Sequence, residues 1–432
     1  MTVDDAFDPA YLVTLDEIYH CYWAARKKRQ IKRLRTAVEH FWPNGHPTRF
    51  VHISGTNGKG SVAHYLEQGL RCSGPTGSWT GPHVFDYAER LHINAEQAPR
   101  DAIVEIYRDH LEPYQGSLTE GETLGFPELG ILLALHLFDQ NNAVWGLMES
   151  GVGGRYTPLM ALNASAGIVT NVGGDHPLSL GQELWQRALE KAGIARPGVP
   201  FFTAATGDAL DFVSKTAVSQ GAPVEAVDEP DRAQVRRGLE GSGHSTELLG
   251  PEVDNLALAL KVVQHFYPEE PPEALLSAMS ARLPGRFWTP EPGVIVDVAH
   301  NREKIAHFVA RLKLHHPEQR FRFLIGLTRQ RDPIEMFEPL FEVAETITVT
   351  SASYPGREPS QIASQLRRAF QPVAVQDDAR EAYRSELAAR RDGQTLALTG
   401  SAYMIDQALN PNPYVRHLNA SFGWRGRIGD RV

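Results

Sequence analysis

Apolar and polar positions along the chain fall into two successive series of helices and strands. Across residues 14–41, Ile18, Tyr22, Ile31, Leu34 and Val38 recur at roughly helical spacing behind Thr14 and Glu17, which read as a capping box. One or two helices are expected there. The apolar run 50–53 reads as a buried strand that enters a glycine-rich stretch and then a helix extending through Leu70. Further buried-strand patterns lie at 143–148 and 167–170, with a helical run at 128–138 ahead of the first. Alternation of this kind implies a parallel sheet covered by helices.

Beyond Pro284 the pattern restarts, with strands expected at 294–296, 323–325, 347–349 and 395–398, separated by amphipathic segments of helix length. The expected class is therefore α/β, with a larger N-terminal domain built on a parallel sheet around a glycine-rich loop and a smaller C-terminal Rossmann-like α/β domain. Leu283, Pro284 and Gly285 would break the preceding helix and supply a hinge, which divides the chain into 1–283 and 284–410. Residues 411–432, rich in Asn, Pro, Gly and Arg, are expected to form a loosely packed tail.

A formal net charge of −9 argues against a general nucleic-acid binder, which needs a clustered basic surface to displace counterions. The basic run from Arg26 to Arg29, continued by Lys32, Arg33 and Arg35, reads as a solvated helix face or as a contact for a polyanionic substrate. With Cys21 and Cys72 as its only cysteines, the chain has neither a disulfide framework nor a cysteine-rich metal pattern. No stretch reaches the roughly 18 consecutive apolar residues of a membrane span. These features point to a cytoplasmic protein with small-molecule partners, neither nucleic acid nor membrane, and a monomer is expected.

The candidate chemistry begins at Gly55-Thr56-Asn57-Gly58-Lys59-Gly60-Ser61. Glycines let backbone N–H groups approach phosphate oxygens, and Lys59 supplies the neutralising charge. In the general motif a Ser or Thr directly follows the lysine, whereas here Gly60 intervenes before Ser61. Glu149 ends the strand pattern 143–148, where a carboxylate points into the ligand crevice of an open α/β sheet, and its natural partner is the Mg²⁺ that accompanies ATP. After the next strand come Asp175 and His176, then Glu190-Lys191-Ala192-Gly193-Ile194 at the end of a helical run. His176, Glu149 and Lys191 are expected at one mouth.

These strings, together with Gly153-Gly154-Arg155, Gly181, Pro284-Gly285-Arg286-Phe287 and Asp297 with Ala299-His300-Asn301, resemble in order the signatures of the folylpolyglutamate synthase and dihydrofolate synthase family within the Mur ligases. The resemblance spans about residue 14 to 410. It implies that ATP phosphorylates a carboxylate, that an amino acid, glutamate by family, attacks the acyl phosphate, and that ADP and phosphate leave. It also implies Glu149, His176 and Lys191 as metal ligands, with Lys191 carbamylated. Asn255, Arg286 and Asp297 would lie around ATP, and His300 close to its phosphates. Lys59, Lys191 and His300 would then carry the reaction, with ATP and Mg²⁺ as cofactors.

Two positions depart from the family pattern. Gly81 stands in Thr80-Gly81-Pro82-His83 where the family has a metal-binding serine, and Thr157 stands where it has an aspartate that contacts the pterin. Two other readings therefore stand beside the folate one. The same chemistry could act on a non-folate acceptor, or the protein could bind nucleotide without turnover.

Overall fold

The computed structural model of the chain describes residues 8–21, 27–119, 121–174, 177–239, 248–279, 286–328, 331–352 and 356–425. Arg26, Asp175, His176, Pro284 and Gly285 lie outside these ranges. The described chain divides into two units, one holding residues 8–83 and 87–279, the other 84–86 and 286–425.

The first unit opens with helices Pro9–His20 and Lys27–Phe41. The first of these starts earlier than the Thr14–Glu17 pattern suggests. Asp8 is the N-cap, accepting from Ala10 N at 2.8 Å with Pro9 just inside, and Thr14 is buried within the helix. An Asp–Pro start satisfies a free amide and presets φ, so it outcompetes the internal Thr14 signal.

The strands of this unit are β1 (Arg49–Ser54), β2 (Thr76–Trp79), β3 (Leu91–Ile93), β4 (Glu96–Gln97), β5 (Trp145–Glu149), β6 (Ala164–Val169), β7 (Phe201–Thr203) and β8 (Val224–Ala226). They form one sheet in the order β4-β3-β2-β5-β1-β6-β7-β8. Pairings from β2 through β8 are parallel, as the alternating pattern requires, but β3 and β4 close one edge antiparallel. Strand β2 has no apolar run in sequence. Its Gly77 lets helix Phe126–Gln140 press onto the sheet, because a Cβ there would fall 2.3 Å from the Phe138 ring.

Alternation along β1 sends Val51 and Ile53 into a core shared with Val62 and Leu66 of helix Lys59–Gly69 and with Leu256 and Leu260 of helix Gly250–Phe266. His52 lies between them on the opposite face, fully buried, and neither ring nitrogen has a hydrogen-bond partner.

The second unit has strands β9 (Val294–Val296), β10 (Phe321–Ile325), β11 (Ala344–Val349), β12 (Val373–Val375) and β13 (Leu396–Thr399), all parallel, in the order β12-β11-β10-β13-β9. Phe323 and Ile325 feed one core while Leu324 feeds the other, so the sheet is buried on both faces. Where composition suggests a loose tail, Pro413–Arg425 is a helix that buries Val415 and Leu418. Among the described residues no helix is long and apolar enough to cross a membrane.

Candidate functional site

Strand β1 ends at Ser54 and the next helix begins at Lys59, so residues 55–58 make the whole turn. Two of its glycines are required by geometry. Gly55 has φ +146°, and a Cβ on it would lie 1.9 Å from Thr170 Oγ1; Gly58 has φ +81°, and a Cβ there would lie 2.4 Å from Asn255 Oδ1. The loop is thus in contact with buried Asn255.

The loop is fastened to the exit of β6. Thr56 N donates to Asn171 O at 3.0 Å, Asn57 N donates to Asn171 Oδ1 at 3.0 Å, and Thr170 Oγ1 donates to Asn57 O at 2.6 Å. Gly173 N in turn donates to Thr56 Oγ1 at 2.8 Å. The amides of Thr56 and Asn57 are therefore engaged. Val62 N makes the first bond of the helix, to Gly58 O. The amides of Gly58, Lys59, Gly60 and Ser61 are the helix's orphan donors, with the positive end of the dipole behind them.

Lys59 curls back over the loop, with Nζ 3.2 Å from Gly55 O and 3.4 Å from Thr56 O. It also stands 3.7 Å from Glu149 Oε1. Glu149, at the end of β5 and paired in register with Ile53, turns its other oxygen to accept from Gly81 N at 3.1 Å. A Cβ at Gly81 would lie 2.5 Å from Arg90 Nη1, so a side chain at this position would displace the Arg90 guanidinium. Arg90 is itself held by donation from Nε to His83 Nδ1 at 2.8 Å.

Lys191 is 2% exposed and donates from Nζ to Gly55 O at 3.0 Å, which joins it to the glycine loop. Its helix, Leu184–Ala192, packs against the stretch after Glu149. Arg155 N donates to Glu190 O at 2.8 Å, and Cβ atoms on Gly154 and Gly193 would fall 2.6 Å from Lys191 O and 2.5 Å from Arg155 Cβ. The Gly153–Arg155 and Glu190–Ile194 signatures are two sides of one contact. Arg187, which the sequence reading does not single out, donates to Gly173 O at 2.8 Å, Gly181 O at 3.1 Å and Gln182 O at 2.5 Å.

In the second unit Asp297 follows β9 and accepts from Phe287 N at 3.0 Å and Ala299 N at 2.8 Å. Burial raises its carboxyl above the ordinary range, opposed by the Arg286 guanidinium and these two amides. His300 Nδ1 stands 2.9 Å from Val298 O, and Lys304 Nζ lies 3.1 Å from His300 Nε2. A proton on Nδ1 donated to the carbonyl leaves Nε2 to accept from Lys304. Lys304 is a second residue the sequence reading misses.

Among the described residues no group of three or more His, Cys, Asp or Glu side chains could hold a metal ion. Mg²⁺ with a nucleotide nevertheless fits Glu149. The ion is commonly bound through one or two carboxylates, with phosphate oxygens and water completing its shell, and Glu149 Oε1 lies 3.7 Å from Lys59 Nζ on the glycine loop.

Residues 286–402 match the family described as Mur ligase, glutamate ligase domain. The chain is 28% identical over 398 residues to a probable bifunctional folylpolyglutamate synthase/dihydropteroate synthase of Haloferax volcanii, covering 87% of this chain and 47% of that protein. It thus spans about half the length of that relative. It is 26% identical over 340 residues to a dihydrofolate synthase/folylpolyglutamate synthase of Bacillus subtilis, covering 72% and 79%. A Mycobacterium tuberculosis folylpolyglutamate synthase, solved with ADP and with AMPPCP, superposes with a TM-score of 0.75 at 21% identity over 88% of this chain and 94% of that one, which shows a shared fold.

Proposed function

The chain belongs to the folylpolyglutamate synthase and dihydrofolate synthase family of Mur ligases, and we propose that it joins an amino acid, glutamate by family, to a folate-type carboxylate at the expense of ATP. The observation that carries this is the Lys59–Glu149 pair on a loop that leads into a helix N-terminus, whose amides suit a phosphate. A carboxylate is a poor electrophile, and phosphorylation gives it a leaving group that an amine can displace. The amides of residues 58–61 and the Lys59 ammonium offset charge on the transferring phosphoryl group. Glu149 would hold Mg²⁺, which supplies further neutralisation of the phosphates. His176 is proposed as a second metal ligand, Arg286 and Asp297 as nucleotide contacts, and His300 as a group near the phosphates. The test is ADP release by the purified protein. Release should require both glutamate and an acceptor, and release that depends on neither would overturn the ligase reading.

The metal role of Glu149 has its own expected result. Glu149→Gln keeps an oxygen that can accept from Gly81 N but loses the charge, and should raise the Mg²⁺ concentration for half-maximal rate by at least about tenfold. A superimposable Mg²⁺ titration would take Glu149 out of the metal site.

Lys191 is proposed to act as a carbamate, since an ammonium beside a divalent cation is repelled whereas a carbamate supplies an anionic oxygen. Depleting CO₂ and bicarbonate should slow the enzyme, and bicarbonate should restore it. Normal activity of Lys191→Ala, or a bare amine in both an intact mass under bicarbonate and a high-resolution map, would contradict this.

One observation favours a second reading, the same chemistry on an acceptor other than a pterin. Thr157 is 8% exposed at the start of the short helix Pro158–Ala161, and Leu159 is 1% exposed, so this wall offers a neutral hydroxyl among apolar groups. Replacing a carboxylate's paired, charge-assisted bonds costs about 2 kcal/mol. Wild type should therefore use dihydropteroate poorly, and in a comparison of both proteins on dihydropteroate and tetrahydrofolate, Thr157→Asp should raise kcat/KM for dihydropteroate by about 30-fold. Efficient wild-type turnover of dihydropteroate would assign ring recognition to another residue.

A further inference from the structure

Arg187 and Lys191, one helical turn apart, lie on the same face of helix Leu184–Ala192, and both are buried. Lys191 holds Gly55 O, the first carbonyl of the phosphate loop. Arg187 forks in two directions. Nε takes Gly173 O, while Nη1 takes Gly181 O and Gln182 O. Gly173 is held from its other side as well, because its amide donates to Thr56 Oγ1 within the loop. Hydrogen bonds on both sides of one residue, Gly173, thus link the guanidinium to the glycine loop, and Asn171 adds two parallel fastenings to Thr56 and Asn57.

We infer that Arg187 is a positioning residue for nucleotide binding, one that fixes the phosphate loop through Gly173 without touching the nucleotide. The inference rests on the proposed nucleotide reading of the loop. A planar guanidinium suits this task because its donors leave at fixed angles, so Gly173 and the 181–182 carbonyls are set relative to each other as well as bound. An ammonium at the same place has its donors at a single point and cannot set both. Without the guanidinium, Gly173 loses its tether on one side, and Thr56 loses a fixed partner for its hydroxyl. The loop amides at 58–61 are then less well placed for a phosphate.

The experiment measures binding of fluorescent mant-ADP with Mg²⁺, at a temperature well below the Tm of each protein, together with amide hydrogen exchange at Gly173. Outer-shell positioning groups typically contribute 10- to 100-fold, and Arg187→Met should weaken mant-ADP by about that factor. Arg187→Lys should fall between Arg187→Met and wild type. Exchange at Gly173 N should accelerate in both variants, while the amides of β7, which a general loss of stability would also affect, keep their protection. Arg187→Lys carries the test should Arg187→Met not fold. If the folded variant binds mant-ADP as tightly as wild type, the inference is overturned and the nucleotide reading stands. If wild type itself does not bind mant-ADP, the nucleotide reading falls and this inference falls with it.

Discussion

Lys59→Ala is expected to lower kcat/KM by about three orders of magnitude, the scale seen when a preorganised donor to a developing charge is removed. Among the described residues Lys59 is the one cationic side chain within 55–61, and its Nζ is held against Gly55 O and Thr56 O. Those two carbonyls and Glu149 keep the ammonium over the turn before any phosphate arrives, so little reorganisation is needed at the moment of transfer. Alanine keeps the helix and the amides of 58–61 but leaves the phosphate charge without its counterion. It also leaves Glu149 without a cation at 3.7 Å. Part of the binding should survive through the amides, and most of the rate should not. Steady-state rates and nucleotide affinity unchanged from wild type would remove the phosphate-loop assignment.

The second large effect is on stability in acid. Burial pushes His52 and His136 down to about 3 and His92 down to about 4. A His arriving charged from the unfolded chain must lose its proton to fold, so the stability these groups allow is fully present above pH 6.5 and is lost as pH falls from 6.5 toward 3–4. For His52, which has no partner for either nitrogen, the loss is on the order of 4 kcal/mol across that range. Glu67 works in the opposite sense. Burial raises its carboxyl to about 7, so it favours the fold increasingly as pH falls from 7 to 4.5. The balance of these four groups at pH 5.5 is an uptake of about two protons on unfolding. Calorimetric unfolding in buffers of different ionisation enthalpy should show that uptake, with Tm falling between pH 7 and 5. His52→Leu should reduce the uptake by about one proton and raise Tm at pH 5. Unfolding of wild type and His52→Leu with equal proton uptake would contradict the buried neutral histidine.

The architecture was legible at the longer apolar runs, but the short apolar strands Phe201–Thr203 and Val373–Val375 were not picked out. The runs at 50–53, 294–296 and 323–325 all lie within strands, because parallel strands buried on both faces admit little else. Strand β2 was not legible, because Thr76-Gly77-Ser78-Trp79 is buried through a glycine contact and through hydrogen bonds from Thr76 and Ser78 to Glu67 rather than through apolarity. The start of the first helix was misplaced because two start signals compete there, and Asp8-Pro9 is the stronger.

Among the candidate residues, the glycine loop, Lys59, Glu149 and Lys191 could be picked out because each is a chemical type at a strand or helix end, whereas Asn255, inside helix Gly250–Phe266, came from the family resemblance alone. In the structure they share one corner of the first unit. Arg187 gave no such signal. An arginine in an amphipathic helix looks solvated, and its partners are backbone carbonyls that no sequence pattern announces. Lys304 is hidden for the same reason, since its relation to His300 depends on which imidazole nitrogen carries the proton.

The most direct measurement is the fate of the carboxylate oxygen. With an acceptor labelled by ¹⁸O in its carboxylate, and with ATP, Mg²⁺ and glutamate present, activation as an acyl phosphate transfers one carboxylate oxygen to the phosphate that leaves when the amine attacks. Each phosphate released in ligation should therefore carry one ¹⁸O from the acceptor. Amide product formed together with unlabelled phosphate would mean that the phosphoryl group never bonded to the carboxylate, and would contradict the mechanism proposed for Lys59 and Glu149.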